Sequence, residues 1–454
     1  MVNYVTERYI EECLAENSPL RTAVRQAKFP DAFLGAYGSR LAARPWFIAE
    51  SDLREFADDL MEFFDLLVSV PQRLFDGDLR RYCAALGIDD RRAALMCRGS
   101  TGRPARYGRA DVYRDAHSFR LLEFNIGSEL GGADRAVMNH ALLGVDEFRS
   151  FAEEHRLSFM DTGVEVANAL RTIVAPVSGD REPVVAMLEG PGGLAKYGNL
   201  ATAFQEVMKF AGLDVRLGEA QDVTNRNGKI HLDGTPIDMV LRYFSVDQIC
   251  ADPNGEAVLE PFLRAHDAGT TVLYTGMDSG LFANKGALAF LSDPCSRAVF
   301  SAAELALIDR VLPWTRALVS GPTQMNDETV DLLDYCRANR DRLILKPRAG
   351  FGGVGTVVGW ESTDREWSHA LVSCADQAYI VQQKVDPQPE PVCDPETGEV
   401  DNWIAAWSFF LTEEGYAGSS HIRSIRYGAG SIIGQSAYPP PRTTGVFSFP
   451  RERD

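Results

Sequence analysis

Positive charge is in short supply in this sequence: 46 Lys and Arg face 64 Asp and Glu, for a formal net charge of -18 at pH 7. General nucleic-acid binders and proteins of anionic membranes need a basic footprint, so neither class is expected, and local Arg and Lys read as features of a site. Long apolar runs are missing too, and none approaches membrane-spanning length. The opening residues, MVNYVTERYIEECLAENSPL, carry charges inside every apolar stretch, which is not the pattern of a signal peptide. The eight cysteines are scattered without a CxxC pair, which argues against a disulfide framework and suits reduced, buried thiols in a cytoplasmic enzyme. Seven dispersed histidines give a zinc site little support. There is also no internal repeat.

What is present is an ordinary globular composition, 454 residues of which 45% are hydrophobic. That is too long for one simple core and predicts two or three subdomains of mixed α/β class. Residues 1 to about 100 read as largely helical, with Leu53, Phe56, Leu60, Phe63, Phe64 and Leu67 at helical spacing as core contacts. EPVVAMLEGPGG, then YGNLATAFQEVMKFAGLDVRLG, read as strand, helix and strand, a βαβ unit. The GPGG loop lacks the GxGxxG spacing of a dinucleotide site, and it serves either as a substrate contact or as a tight turn. An Asp-Gly turn in GKIHLDGTPIDMVLRYF predicts a hairpin. Only the tail, YPPPRTTGVFSFPRERD, looks irregular.

The stretch RYGRADVYRDAHSFRLLEFN carries four polar groups among residues that look like core. Laid out as a hairpin turning near His117, it sets Asp111 opposite Glu123 and Arg109 opposite Asn125, all on one face. Ala110, Val112, Leu122, Phe124 and Ile126 then form the apolar face. Two neighbouring carboxylates repel unless a cation separates them, and Mg²⁺ or Mn²⁺ with Asn125 as a neutral ligand fits such a face. Arg109 suits an anionic phosphate held nearby. The same spacing also suits a solvated surface of Arg-Asp and Glu-Asn pairs.

In the last third, RLILKPRAGFGGVGTVVGW reads as strand, Gly-rich loop and strand. Lys346 precedes Gly350, Gly352, Gly353 and Gly355, whose flexible backbone can turn its N-H groups toward phosphate oxygens. This is not a Walker A loop, in which the Lys follows the glycines and a helix follows the Lys. A Gly-rich hairpin beside a snorkelling surface Lys gives the same pattern. Lys285, in GLFANKGALAFL, opens a helix, either as a second phosphate contact or as an ordinary exposed Lys.

The succession Arg109-x-Asp111, Glu123-x-Asn125, then Lys285 and KPRAGFGGVG far downstream, resembles the ATP-grasp ligases in their circularly permuted form, as in the synthetase domain of glutathionylspermidine synthase. In the usual ATP-grasp order the Glu-x-Asn pair follows the Gly-rich loop, whereas here it precedes it. The resemblance runs from about 100 to 440 and includes DMVLRYF, YIVQQKV and GSSHIRSIRYG. It implies an ATP-grasp fold in permuted order behind a helical N-terminal region over 1–100. The metal-bearing hairpin would occupy 101–160, a βαβ-type substrate domain 161–280, and the nucleotide-binding subdomains and tail 281–454.

By position, the resemblance implies that Asp111, Glu123 and Asn125 bind Mg²⁺, that Lys285 and Lys346 hold ATP phosphates, and that the loop from Gly350 to Gly355 closes over them. Gln382, Gln383, Lys384 and Val385 would form the adenine hinge, Arg109 would stabilise the reacting centre, and Arg423 matches a further Arg of that group. The implied activity joins a small-molecule carboxylate to an amine through an acyl phosphate, releasing ADP and phosphate. A phosphotransferase and a non-catalytic ATP-binding protein remain the alternatives. Fold-level analogy suggests a homodimer. The sequence departs from glutathionylspermidine synthases at Ile126, Gly127, Ser128 and Glu129, where those enzymes have an acidic, proline-containing segment, so neither glutathione nor spermidine is implied as substrate.

Overall fold

Alternation of side chains folds Gly108–Arg114 and Phe119–Ile126 into an antiparallel hairpin. Its turn is closed by the Asp115 carboxylate, which accepts from the backbone N-H groups of His117 at 2.7 Å and Ser118 at 2.9 Å. The computed structural model describes residues 2–38, 40–100, 102–325, 328–350, 352–434 and 439–451. Arg109 pairs with Asn125 and Asp111 with Glu123, the register expected from the sequence.

One position differs. Val112 pairs with Leu121, so Leu122 is an extra residue in its strand, a β-bulge. The buried set is therefore Ala110, Val112, Leu121, Phe124 and Ile126, while Leu122 turns toward the cleft beside Glu123. Leu121→Ala is accordingly expected to destabilise the protein by about 2–5 kcal/mol. Leu122→Ala should leave the melting temperature nearly unchanged and weaken whatever fills the cleft. Thermal melts of the two variants separate them.

The hairpin belongs to a seven-stranded sheet centred on the long strand Val400–Thr412, whose neighbours include Gly108–Arg114 and Ile422–Arg426. One face of this sheet lies on the 26-residue helix Glu50–Phe75. The helical stripe expected to be core is core: Phe56 packs at a tilt against Phe119 with ring centroids 5.0 Å apart, and Phe64 meets Phe124 at 5.9 Å. Each such buried side chain contributes roughly 1.5–3 kcal/mol relative to exposure. The opposite face of the sheet is left for the site.

The βαβ reading is present as Val184–Glu189, the helix Gly193–Phe210 and Asp214–Glu219, in a parallel sheet completed by Met239–Arg242 and Val272–Tyr274. The GPGG loop leads straight into the helix, where Glu219 accepts from the N-H groups of Gly192 at 2.9 Å and Leu194 at 3.0 Å. A carboxylate of the neighbouring strand thus occupies the place where a dinucleotide fold would put phosphate.

A third, antiparallel sheet runs Thr315–Ala317, Tyr379–Gln383, Leu343–Pro347 and Val357–Val358. The tail, which looks irregular in sequence, contains the strands Arg442–Thr444 and Val446–Phe449. The second pairs in parallel with Trp46–Ala49. No helix among the described residues is long and apolar enough to cross a membrane.

Candidate functional site

Leu343 and Leu345 point into the core of the small antiparallel sheet, so Ile344 and Lys346 point the other way. They face the free side of the seven-stranded sheet across a cleft of about 350 Å³. Twelve of the residues singled out from sequence line or border this cleft: Asp111, Glu123, Lys285, Lys346, Gly350, Gly352, Gly353, Gln382, Gln383, Lys384, Val385 and Arg423. Arg109, Asn125 and Gly355 do not line it. Arg109 and Asn125 form the next pair along the hairpin, and Gly355 lies at the end of the loop, where its carbonyl accepts from the Tyr379 hydroxyl at 3.3 Å.

Lys346 is fixed by Gln382, whose Oε1 accepts from Nζ at 2.6 Å, and by the Leu122 carbonyl at 3.2 Å. Gln382 is itself held by donating to the Thr315 hydroxyl at 3.1 Å. Its amide therefore positions the lysine, while Gln383, Lys384 and Val385 of the expected hinge border the cleft beside it. Burial lowers the Lys346 pKa to about 8; Glu123 opposes this and Lys285 adds to it. Lys285, the first residue of the helix Lys285–Ser292, sends Nζ to Glu123 Oε2 at 3.2 Å and to the Gly350 carbonyl at 3.0 Å. The lysine thereby ties the hairpin to the Gly-rich loop. Gly350, Gly352, Gly353 and Gly355 all have φ between 69° and 110°, the region that side chains with a Cβ avoid.

Asp111 is 3% exposed and crowded with donors. Arg109 grips it with two bonds of 2.7 and 3.0 Å, Ser408 donates at 2.8 Å and Arg423 at 3.0 Å. Burial alone would raise its pKa, but the two guanidinium groups and these hydrogen bonds outweigh it and hold the carboxyl at about 2. Arg109 also donates to the Gly131 carbonyl at 2.5 Å.

The walls that sequence reasoning missed are Tyr113, Leu122, Trp360, Ile404, Ala406 and Ile433. Tyr113 stands two residues after Asp111 and was within reach of the alternation rule. Ile404 and Ala406 were hidden because their strand is buried on both faces. Together they make an apolar wall beside a polar floor, a surface suited to a flat base with phosphates at one end.

No protein-family model matches the chain. Among curated proteins, uncharacterized proteins of Mycobacterium tuberculosis and Mycobacterium bovis are each 24% identical over 294 residues, covering 62% of this chain and 49% of theirs. The chain therefore spans about half the length of the curated relatives it matches. Among solved structures, the apo form of a glutathione synthetase-like effector from Globodera pallida aligns with a TM-score of 0.54 at 11% identity. The alignment covers 98% of this chain and 96% of that one, which shows a shared fold over almost the whole length.

Proposed function

We propose that the protein is an ATP-dependent carboxylate-amine ligase of the circularly permuted ATP-grasp type, acting on amino acids or peptide-like small metabolites. The observation that carries this reading is the meeting in one cleft of two lysines, a Gly-rich loop, the Gln383 to Val385 strand end and the acidic hairpin, segments spread in sequence from Asp111 to Val385. Lys285 and Lys346 sit where they can neutralise triphosphate charge, and the loop of glycines can bring its amides close to it.

In this mechanism an oxygen of the substrate carboxylate bonds to the terminal phosphorus of ATP, and the bond to the ADP oxygen breaks. The nitrogen of the amine then bonds to the activated carbonyl carbon, the phosphate leaves, and the amine gives up a proton. In this reading Arg423, which lines the cleft, and Arg109, which shares Asp111 with it, offset the negative charge that builds in both steps. The loop from Gly350 to Gly355 keeps water from the acyl phosphate.

Glu123 and Asn125 offer the carboxylate and amide oxygens that suit a hard divalent cation, which when bound supplies further neutralisation of phosphate charge. Asp111 fits that role less well. Both its oxygens already accept from Arg109, with Ser408 and Arg423 adding a bond each, so it can ligate only by releasing one of these donors.

The test is calorimetric titration with a non-hydrolysable ATP analogue, with and without Mg²⁺. Mg²⁺-dependent binding is expected, weakened at least tenfold by Glu123→Gln. No binding, or binding that this variant leaves unchanged, contradicts the proposal.

A further inference from the structure

Around Asp111 the sheet face carries more positive charge than that carboxylate neutralises. Arg109 and Arg423 both bond to it, and a third guanidinium, Arg135, stands nearby on the short turn Ala133–Ala136. Arg135 is 8% exposed and is in no ion pair among the described residues. Its guanidinium lies 3.5 Å over the Tyr37 ring and donates to the Thr443 hydroxyl, while its Nε has no hydrogen-bond partner among the described residues. Asp134, next to it, accepts from the Tyr37 hydroxyl at 2.5 Å, and burial pushes its pKa upward.

His421 stands two residues before Arg423, on the same face of the sheet. It is 5% exposed, and neither ring nitrogen has a hydrogen-bond partner among the described residues. Burial lowers its pKa well below the ordinary range, and Arg135, Arg109 and Arg423 lower it further. The ring is therefore neutral, with one N-H to donate and one nitrogen to accept. A side chain at Gly132 would collide with its Nδ1, so the loop that receives Arg109 at Gly131 also packs directly on the histidine.

Buried polar groups are nearly always satisfied. Here the Nδ1 and Nε2 of His421, the Nε of Arg135 and the Nε of Arg423 have no hydrogen-bond partner among the described residues. Asp134 and Asp111 offset part of the charge of Arg135 and Arg423, but burying the unpartnered nitrogens is costly, and an anion that accepts from them offsets that cost. Of these three side chains Arg423 lines the cleft, whereas Arg135 and His421 are buried.

We propose that Arg135, His421 and Arg423 form a carboxylate subsite, entered from the cleft past Arg423, that holds the acyl donor of the ligation. The forked guanidinium of Arg135 matches a planar carboxylate, and the neutral imidazole adds one directed donor without adding charge. A carboxylate held there lies beside Arg109 and is presented to the phosphate end of the cleft. The identity of the ligand as acyl donor rests on the ligase reading; the binding of a carboxylate does not.

The test uses acetate and succinate as probes on the full chain, at constant ionic strength with chloride as the reference. A saturable rise in the melting temperature of the wild type is expected. In Arg135→Gln and His421→Gln the half-saturating concentration should rise at least tenfold, measured against each variant's own melting temperature in chloride, and Arg135→Lys should restore part of the loss. No carboxylate effect in the wild type, or the same half-saturation in all variants, overturns the subsite. An intact carboxylate effect, with its loss in the variants, supports the subsite even where the ATP analogue fails to bind, and that second result contradicts the ligase reading alone.

Discussion

Arg109→Ala is expected to lower turnover by on the order of a hundredfold or more, the usual cost of removing one preorganised contact to charge that develops in the transition state. The fall should appear in kcat, with the KM for ATP little changed, because Arg109 does not line the cleft. Folding should survive the change. Asp111 would keep its bonds from Ser408 and Arg423, at 2.8 and 3.0 Å, and would not be left as a bare buried charge. Arg109→Lys should recover little, since an ammonium cannot reproduce the two-pronged grip on Asp111 and the bond to the Gly131 carbonyl together. Steady-state kinetics with a melt of each variant checks all three statements.

Lys346→Met is expected to abolish nucleotide binding while making the protein more stable. The charged form of Lys346 is penalised by burial, which places its pKa at about 8 in the folded chain, against roughly 10.4 in an unfolded one. The sign follows from linkage. Below pH 8 the lysine is charged in both states and the fold bears the penalty. That penalty fades as pH rises from about 8 toward the unfolded value, where the amine becomes neutral in both states. The gain in Lys346→Met should therefore be largest at neutral pH, on the order of 1 kcal/mol once the lost bonds to Gln382 and the Leu122 carbonyl are set against it, and should turn into a loss in strongly alkaline solution. Affinity for the ATP analogue in the wild type should weaken above pH 8 as the charge is lost, and Lys346→Arg should remove that pH dependence. Calorimetry across pH 6.5 to 9.5 reads both effects.

Local pattern made much of this molecule legible. The alternation in the hairpin fixed the pairing of Asp111 with Glu123, and the stripe from Leu53 to Leu67 identified the helix beneath the sheet. What failed to show depends on partners distant in the chain or on one extra residue. Leu122 looks like core by period two, and only the bulge opposite Asp111 turns it into the cleft. The strand Val446–Phe449 follows a proline-rich stretch and gains its partner from Trp46–Ala49, about 400 residues earlier. His421 and Arg135 carry no local mark at all; they become notable only when folding buries both ring nitrogens of the one and the Nε of the other without partners among the described residues. The role of Gln382 was also hidden, because its grip on Lys346 crosses between strands.

The most direct measurement is ADP release from Mg²⁺-ATP against a panel of amino acids and short peptides, offered singly and in pairs, with mass spectrometry of the products. The account predicts ADP release that needs both a carboxylate and an amine, a conjugate lighter than its two parts by one water, and loss of both signals in Arg109→Ala and Glu123→Ala. A stable phosphorylated acceptor formed from a single substrate would contradict it.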